Sequence, residues 1–174
     1  RTDKLDIYGY LLEDNWNGVT LWENCNRFCN SPANTSTGEC TLLVDDTDRC
    51  ERPAIADKPL YDDCRWKTQN VHVHDNVFSI GPNKIGKTCA TRAGCGYNGL
   101  FSNWGTFPTW SPYQKATVQD AITHKQGNKF YDNTYAGPWN FIVHEQGNSV
   151  NWASWQGAPY GQDEDSVIKV SGER

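Results

Sequence analysis

Acids and bases crowd one short stretch of the chain: Asp62-Asp63, then Arg65-x-Lys67, then His72, His74 and Asp75 in QNVHVHDNVF. Opening a glycan by proton abstraction needs a base beside the sugar carbon and a cation to hold the developing carboxylate charge. A polysaccharide lyase or glycoside hydrolase built here would take its acids from Asp62, Asp63 and Asp75 and its charge stabiliser from Arg65. The same residues also suit a solvated loop end. His72 and His74 alternate with Val71 and Val73, so in a strand the two histidines share one face and the two valines the other. The outward imidazoles would serve as acid–base groups, as ligands or as plain surface. A second set of residues suits binding rather than reaction. Trp104, Trp110 and Tyr113 fall in one loop, and Trp139, Trp152, Trp155 and Tyr160 lie nearer the C-terminus. Flat rings of this kind stack on the apolar faces of pyranose units, and Trp104, Trp110, Tyr113, Trp155 and Tyr160 are the carbohydrate-binding candidates; the same rings also suit packing of loops and of a C-terminal cap.

A recurring tetrad indicates the elements that must position these groups. Leu12-Glu13-Asp14-Asn15, Val73-His74-Asp75-Asn76 and Phe130-Tyr131-Asp132-Asn133 each set an apolar residue and a spacer before Asp-Asn. The flanks alternate apolar and polar, which predicts strand, turn and strand around each copy. Asn suits the turn because its amide bonds local backbone and it tolerates left-handed conformations. In stacked coils each Asn would also donate to its neighbour above and accept from the one below. On this reading coils lie near residues 5–24, 70–80 and 126–145 of a single domain spanning 1–174. Excursions fill 25–69 and 81–125, and 146–174 forms a tail. Ser111-Pro112 is the best helix start, leading into Tyr113–Ala121 with Ser111 as N-cap and Pro112 at the first helical position. A β-sandwich is the alternative, although its rhythm of a turn every 8 to 12 residues or so is missing.

The segments EDNWNGVTLWEN, NVHVHDNVF and GNKFYDNTYAGPWNF resemble successive coils of the right-handed parallel β-helix proteins, the pectate-lyase-like superfamily. NRFCNSPANTSTGECT and SWQGAPYGQDEDS are similar to loop and C-terminal segments of its secreted bacterial members. The resemblance implies an all-β solenoid with long disulfide-bearing loops, associated with extracellular polysaccharide. The Arg65-x-Lys67 pattern is similar to one in polygalacturonases, whose Gly-His-Gly this chain lacks. A first coil so close to residue 1 implies an uncovered end, and hence a C-terminal portion completed by an N-terminal partner chain, a missing segment or self-association. A non-catalytic surface, adhesion or assembly module is the competing function.

Composition bounds these readings. The chain has 174 residues, 37% of them apolar, with a mean hydropathy of -0.75. It lacks any long apolar run, so no membrane span is expected. A net charge of -5, with scattered Lys and Arg, offers no footprint for nucleic acid. Seven cysteines point to an oxidising, extracellular setting. Cys25, Cys29, Cys40, Cys50 and Cys64 lie in the first excursion, and Cys89 with Cys95 is the pair most readily proposed as a disulfide. A zinc site from Cys25, Cys29, His72 and His74 lacks the second close pair that structural zinc uses, so no metal site is expected from the cysteines. Calcium stays open, because Asp45-Asp46-Thr47-Asp48 supplies oxygen ligands without a recognised loop. Asn34-Thr35-Ser36 is a glycosylation sequon for a secretory host.

Overall fold

The computed structural model describes residues 2–23, 68–91, 95–102, 123–144 and 148–169. Asp62, Asp63, Arg65, Trp104, Trp110 and Tyr113 lie outside the described residues, as do the five cysteines of the first excursion, Asn34, Asp45–Asp48 and the helix expected at 111–121.

Most of the regular structure in the described chain is β-strand. The strands are β1 (Thr2–Tyr8), β2 (Leu11–Glu13), β3 (Thr20–Glu23), β4 (Thr68–His74), β5 (Val77–Ser79), β6 (Tyr97–Ser102), β7 (Lys129–Tyr131), β8 (Thr134–Ala136), β9 (Asn140–His144), β10 (Ser149–Val150) and β11 (Val167–Lys169). Short helices α1 (Pro82–Ile85), α2 (Lys87–Thr91) and α3 (Trp152–Gln156) punctuate them. Three sheets result, ordered β1-β4-β7, β2-β5-β8-β11 and β3-β6-β9-β10. Every pairing is parallel except β9 with β10, so the described strands do not form the antiparallel ladders of a β-sandwich.

The register puts like above like. Ile7, Val73 and Phe130 stand in one file, Leu12, Phe78, Tyr135 and Ile168 in a second, and Leu21, Leu100 and Val143 in a third. These files meet in one core, whose middle members Val71, Val73, Phe78, Leu100, Phe130, Tyr135 and Val143 are almost wholly buried. Phe78 and Tyr135 stack at 5.1 Å, and Trp139 stands edge-on to both. Burying such side chains drives the assembly by about 1.5–3 kcal/mol each.

The corners need left-handed backbone. Asp14, Asp75 and Asp132 have φ of 53°, 53° and 51°, as turn residues should. They do not share one corner. Tyr8 pairs with His74 and Leu11 with Val77, so Gly9-Tyr10 is the counterpart of Asp75-Asn76, and Asp14 falls beside Ile80 at the next corner. Backbone bonds agree: the Gly9 N–H donates to Asp75 O, and the Asp14 N–H to Ser79 O. The first tetrad is therefore a turn displaced from the other two. Asn15 is exposed, and it is Asn76 and Asn133 that form the expected ladder.

The two ends of the sheets differ. At one end β10 covers β9, β11 covers β8, and the 160s segment reaches β7 through Asp163 N–H to Phe130 O and through Gln162 Oε1, which accepts from the Phe130 N–H. Helix α3, started by Asn151 whose Oδ1 accepts from the Ser154 N–H, inserts Trp155 against Phe130 and Phe141. At the other end β1, β2 and β3 pair on one edge only, with β4, β5 and β6, and no strand among the described residues pairs with their outer edges, where Leu5, Tyr8, Tyr10, Leu11 and Trp16 are exposed.

Candidate functional site

Strand parity fixes what the β1-β4-β7 sheet shows to solvent. Val71 and Val73 are fully buried, which turns His72 and His74 outward as expected. Register then adds their neighbours. Asp6, His72 and Lys129 form one outward file, and Tyr8, His74 and Tyr131 form another. Parallel pairing keeps the residues of each file about 4.8 Å apart along the hydrogen-bonding direction, close enough for rings to stack.

The second file is a ring stack. His74 lies 5.2 Å from Tyr8 and 4.7 Å from Tyr131, with interplanar angles of 8° and 4°. Both faces of the imidazole are thereby covered, and its side chain is only 17% exposed. Its polar edge stays engaged: Nδ1 lies 2.7 Å from Asp75 Oδ2. Asp75 is therefore an exposed turn residue that orients His74. The first file runs alongside, with Asp6 Oδ1 at 3.4 Å from His72 Nδ1 and 3.9 Å from His74 Nε2. Burial raises the Tyr131 hydroxyl above its ordinary value, and the negative charges of Asp6, Asp75 and Asp132 add to the effect. Lys129 is exposed beside His72. The face thus combines an oriented imidazole, carboxylates, phenols and one ammonium group.

The other candidates within the described residues lie apart from it. Trp155 is fully buried, its indole N–H donating to Asp163 Oδ2 at 2.7 Å, so it offers no ring face to a ligand. Tyr160 is half-buried and meets His124 edge-on. Trp139 and Trp152 pack on Tyr135 within the core region.

A buried polar cluster stands where spacing gave no hint of one. Asp163 accepts from Asn133 Nδ2, Ser166 Oγ, Tyr135 OH and Trp155 Nε1 at 2.6–3.0 Å, and Asn98 Nδ2 donates to Tyr135 OH. Burial raises the Asp163 carboxyl, and the four donors oppose that rise. Tyr135 is pushed well up by burial and by the Asp163 charge. Asp163, Tyr135 and Trp155 are fully buried, so this cluster is a clasp of the covered end. Ser166 takes the place that Asn76 and Asn133 hold in the preceding strands, and that substitution hides the position from a search for Asp-Asn.

Half-buried Asp14 forms a smaller group with exposed Lys84. The Gly81 N–H donates to its Oδ1 and Lys84 Nζ lies 3.1 Å from Oδ2, and these hold its carboxyl below the ordinary value. Cys89 and Cys95 are joined as a disulfide at the edge of the core. No described helix is long and apolar enough to cross a membrane. Comparison of the chain with protein-family models, with curated proteins and with solved structures gives no match.

Proposed function

We propose that the three parallel sheets are the faces of a right-handed parallel β-helix of the secreted type, and that the outward face of β1-β4-β7 associates with extracellular polysaccharide. The observation that carries this reading is the pair of parallel outward files, Asp6-His72-Lys129 and Tyr8-His74-Tyr131. A linear glycan lying across the strands would meet hydrogen-bonding groups of both signs at every strand step. The exposed ring of Tyr8 would offer an apolar surface at the sheet edge. In a lyase or hydrolase of this kind, His74 oriented by Asp75 would move the proton, and Lys129 would hold a carboxylate of the chain. Asp62, Asp63 and Arg65 remain proposed contributors.

Affinity electrophoresis against a panel of acidic and neutral polysaccharides tests the reading, with product analysis of the same mixtures. Retardation by at least one glycan, lost in Tyr8→Ala and Lys129→Ala, is expected. A folded protein that neither binds nor cleaves any member of the panel rejects it.

One observation favours a second reading, that of a non-catalytic assembly module. The strand edges of β1, β2 and β3, with exposed Leu5, Tyr10 and Leu11, offer a place for a further β-layer supplied by an N-terminal partner chain, a preceding segment or a second copy.

A further inference from the structure

We propose that a second copy of this chain covers the open end, the two molecules meeting β1 against β1 about a two-fold axis. The proposal rests on the assembly reading above and names the partner. Ile7 O accepts from Asn76 Nδ2 and the Gly9 N–H donates to Asp75 O, so the alternate residues Asp6 and Tyr8 turn their backbone groups away from β4, toward the open edge. Among the described residues no strand takes them up. Leu5, Tyr8, Tyr10 and Leu11 add exposed apolar side chains at the same end. An edge of this kind is a template for strand pairing.

Charge selects the partner. Lys4 and Asp6 flank Leu5, both are exposed, and among the described residues Lys4 has no ion-pair partner. A copy related by a two-fold axis across the edge lies antiparallel, and centring the pair on Leu5 sets Lys4 of each molecule opposite Asp6 of the other. Two complementary pairs result, and opposite charges directly across a strand pair attract. A copy added in parallel and in register would set Lys4 against Lys4 and Asp6 against Asp6, which repel. Lys4 has φ of 61° and interrupts the ladder, so these ion pairs and the apolar side chains, rather than a long run of hydrogen bonds, set the alignment. The covered end explains why growth stops at two copies. In a head-to-tail stack β1 of one copy would have to join β7 of the next, but the Gln162–Asp163 segment already occupies the Phe130 N–H and C=O on that edge. Trp155 seals the core beneath it. Head-to-tail contacts build filaments, whereas a contact of one surface with itself closes.

Sedimentation equilibrium of the oxidised chain, with its free thiols alkylated, tests the proposal through a charge swap. Wild type should pass from monomer to a species of twice 19.7 kDa and no further. Lys4→Asp and Asp6→Lys each turn both complementary pairs into like-charge pairs and should each weaken dimerisation about tenfold. The double variant Lys4→Asp with Asp6→Lys should regain the wild-type affinity to within about threefold, and an equal mixture of the two single variants should form mixed dimers. Both positions are exposed and Asp tolerates left-handed backbone, so the fold should survive, which circular dichroism checks. Mass growing beyond two copies, single variants that associate like wild type, or a double variant no better than the singles overturns the two-fold alignment and leaves the assembly reading standing. A wild type monomeric at every concentration overturns self-association. Amide exchange at Asp6 and Tyr8 then decides the assembly reading, because slow exchange in that monomer shows the edge to be already covered and rejects it as well.

Discussion

At the residue scale, the interior is decided by a few polar side chains that close otherwise open backbone accounts. Asn133 donates through Nδ2 to Val73 O at 2.9 Å, and its Oδ1 accepts from the Asn76 N–H at 3.1 Å. Asn76 repeats the pattern, donating to Ile7 O and accepting from the Tyr10 N–H. Truncating Asn133 leaves a buried carbonyl and a buried N–H unpaired, each costing about 1–3 kcal/mol. Asn133→Ala should therefore lose about 3 kcal/mol in urea unfolding, while Asn15→Ala at the displaced, exposed turn should change stability by less than about 0.5 kcal/mol. Asp163 makes a prediction of different sign from ordinary paired acids. Its folded-state carboxyl is raised above 3.8 mainly by burial, so the folded chain holds that proton more tightly than the unfolded chain. The contribution is fully present below about pH 3.8 and is lost as pH rises through the raised folded value. Asp14 acts in the opposite direction, since its lowered carboxyl contributes above the ordinary value and loses that contribution on acidification. The difference in unfolding free energy between wild type and Asp163→Asn isolates the buried group. It should favour wild type most at the acid end and shrink toward neutrality. The Trp155 indole N–H signal, donated to Asp163, should titrate with the same midpoint.

At the element scale, short strands of two to seven residues hold register because their corners admit few side chains. Gly137 has φ of 98°, and a Cβ placed there would strike the backbone oxygen of Ile80. Neither the conformation nor the neighbour can yield cheaply. Gly137→Ala should cost about 2–3 kcal/mol, read as a lower urea midpoint with an unchanged slope. Gly9→Asn, at a left-handed corner with open space around it, should cost under about 1 kcal/mol. The same corners explain what was legible beforehand. Alternation of Val and His in QNVHVHDN gave the faces of β4 correctly, because strand parity is a local property. The Asp-Asn signature marked real left-handed turns, yet Asp and Asn suit any such corner, so it could not say which one. Gly9-Tyr10 stands in register with Asp75-Asn76 while carrying neither residue type, and only the pairing of whole strands reveals it. The Cys89–Cys95 bridge was readable because its two ends are six residues apart. The Asp163 clasp was not, because its donors come from positions 133, 135, 155 and 166, brought together only by stacking. Asp6 was invisible as a neighbour of His72 for the same reason.

At the scale of the whole molecule, the contrast between its two ends governs how it should behave in solution. The end beyond β7, β8 and β9 is finished by β11, the antiparallel β10, and Trp155 under a buried carboxylate. Among the described residues the β1, β2 and β3 end shows unpaired strand edges, and it exposes the large apolar side chains Leu5, Tyr8, Tyr10, Leu11 and Trp16. Such edges are templates for further strand pairing, and folded proteins ordinarily blunt them with charge, bulges or a cover. One device is present: Lys4 and Asn70 both have positive φ, which interrupts the β1–β4 ladder between Asp3 and Leu5. It leaves β2 and the exposed Leu11 unprotected. The chain alone should therefore associate as its concentration rises, through the open end and not through the covered one. Sedimentation velocity across a concentration series should show a mass above 19.7 kDa for wild type. Leu11→Lys together with Tyr10→Lys should return it to a single monomeric species with unchanged far-UV circular dichroism. Val167→Lys on β11, at the covered end, should leave the association intact. A wild type that stays monomeric at every concentration, or a Val167→Lys variant that dissociates while the open-end variant does not, would show that the exposed edges are not where the molecule meets its partners.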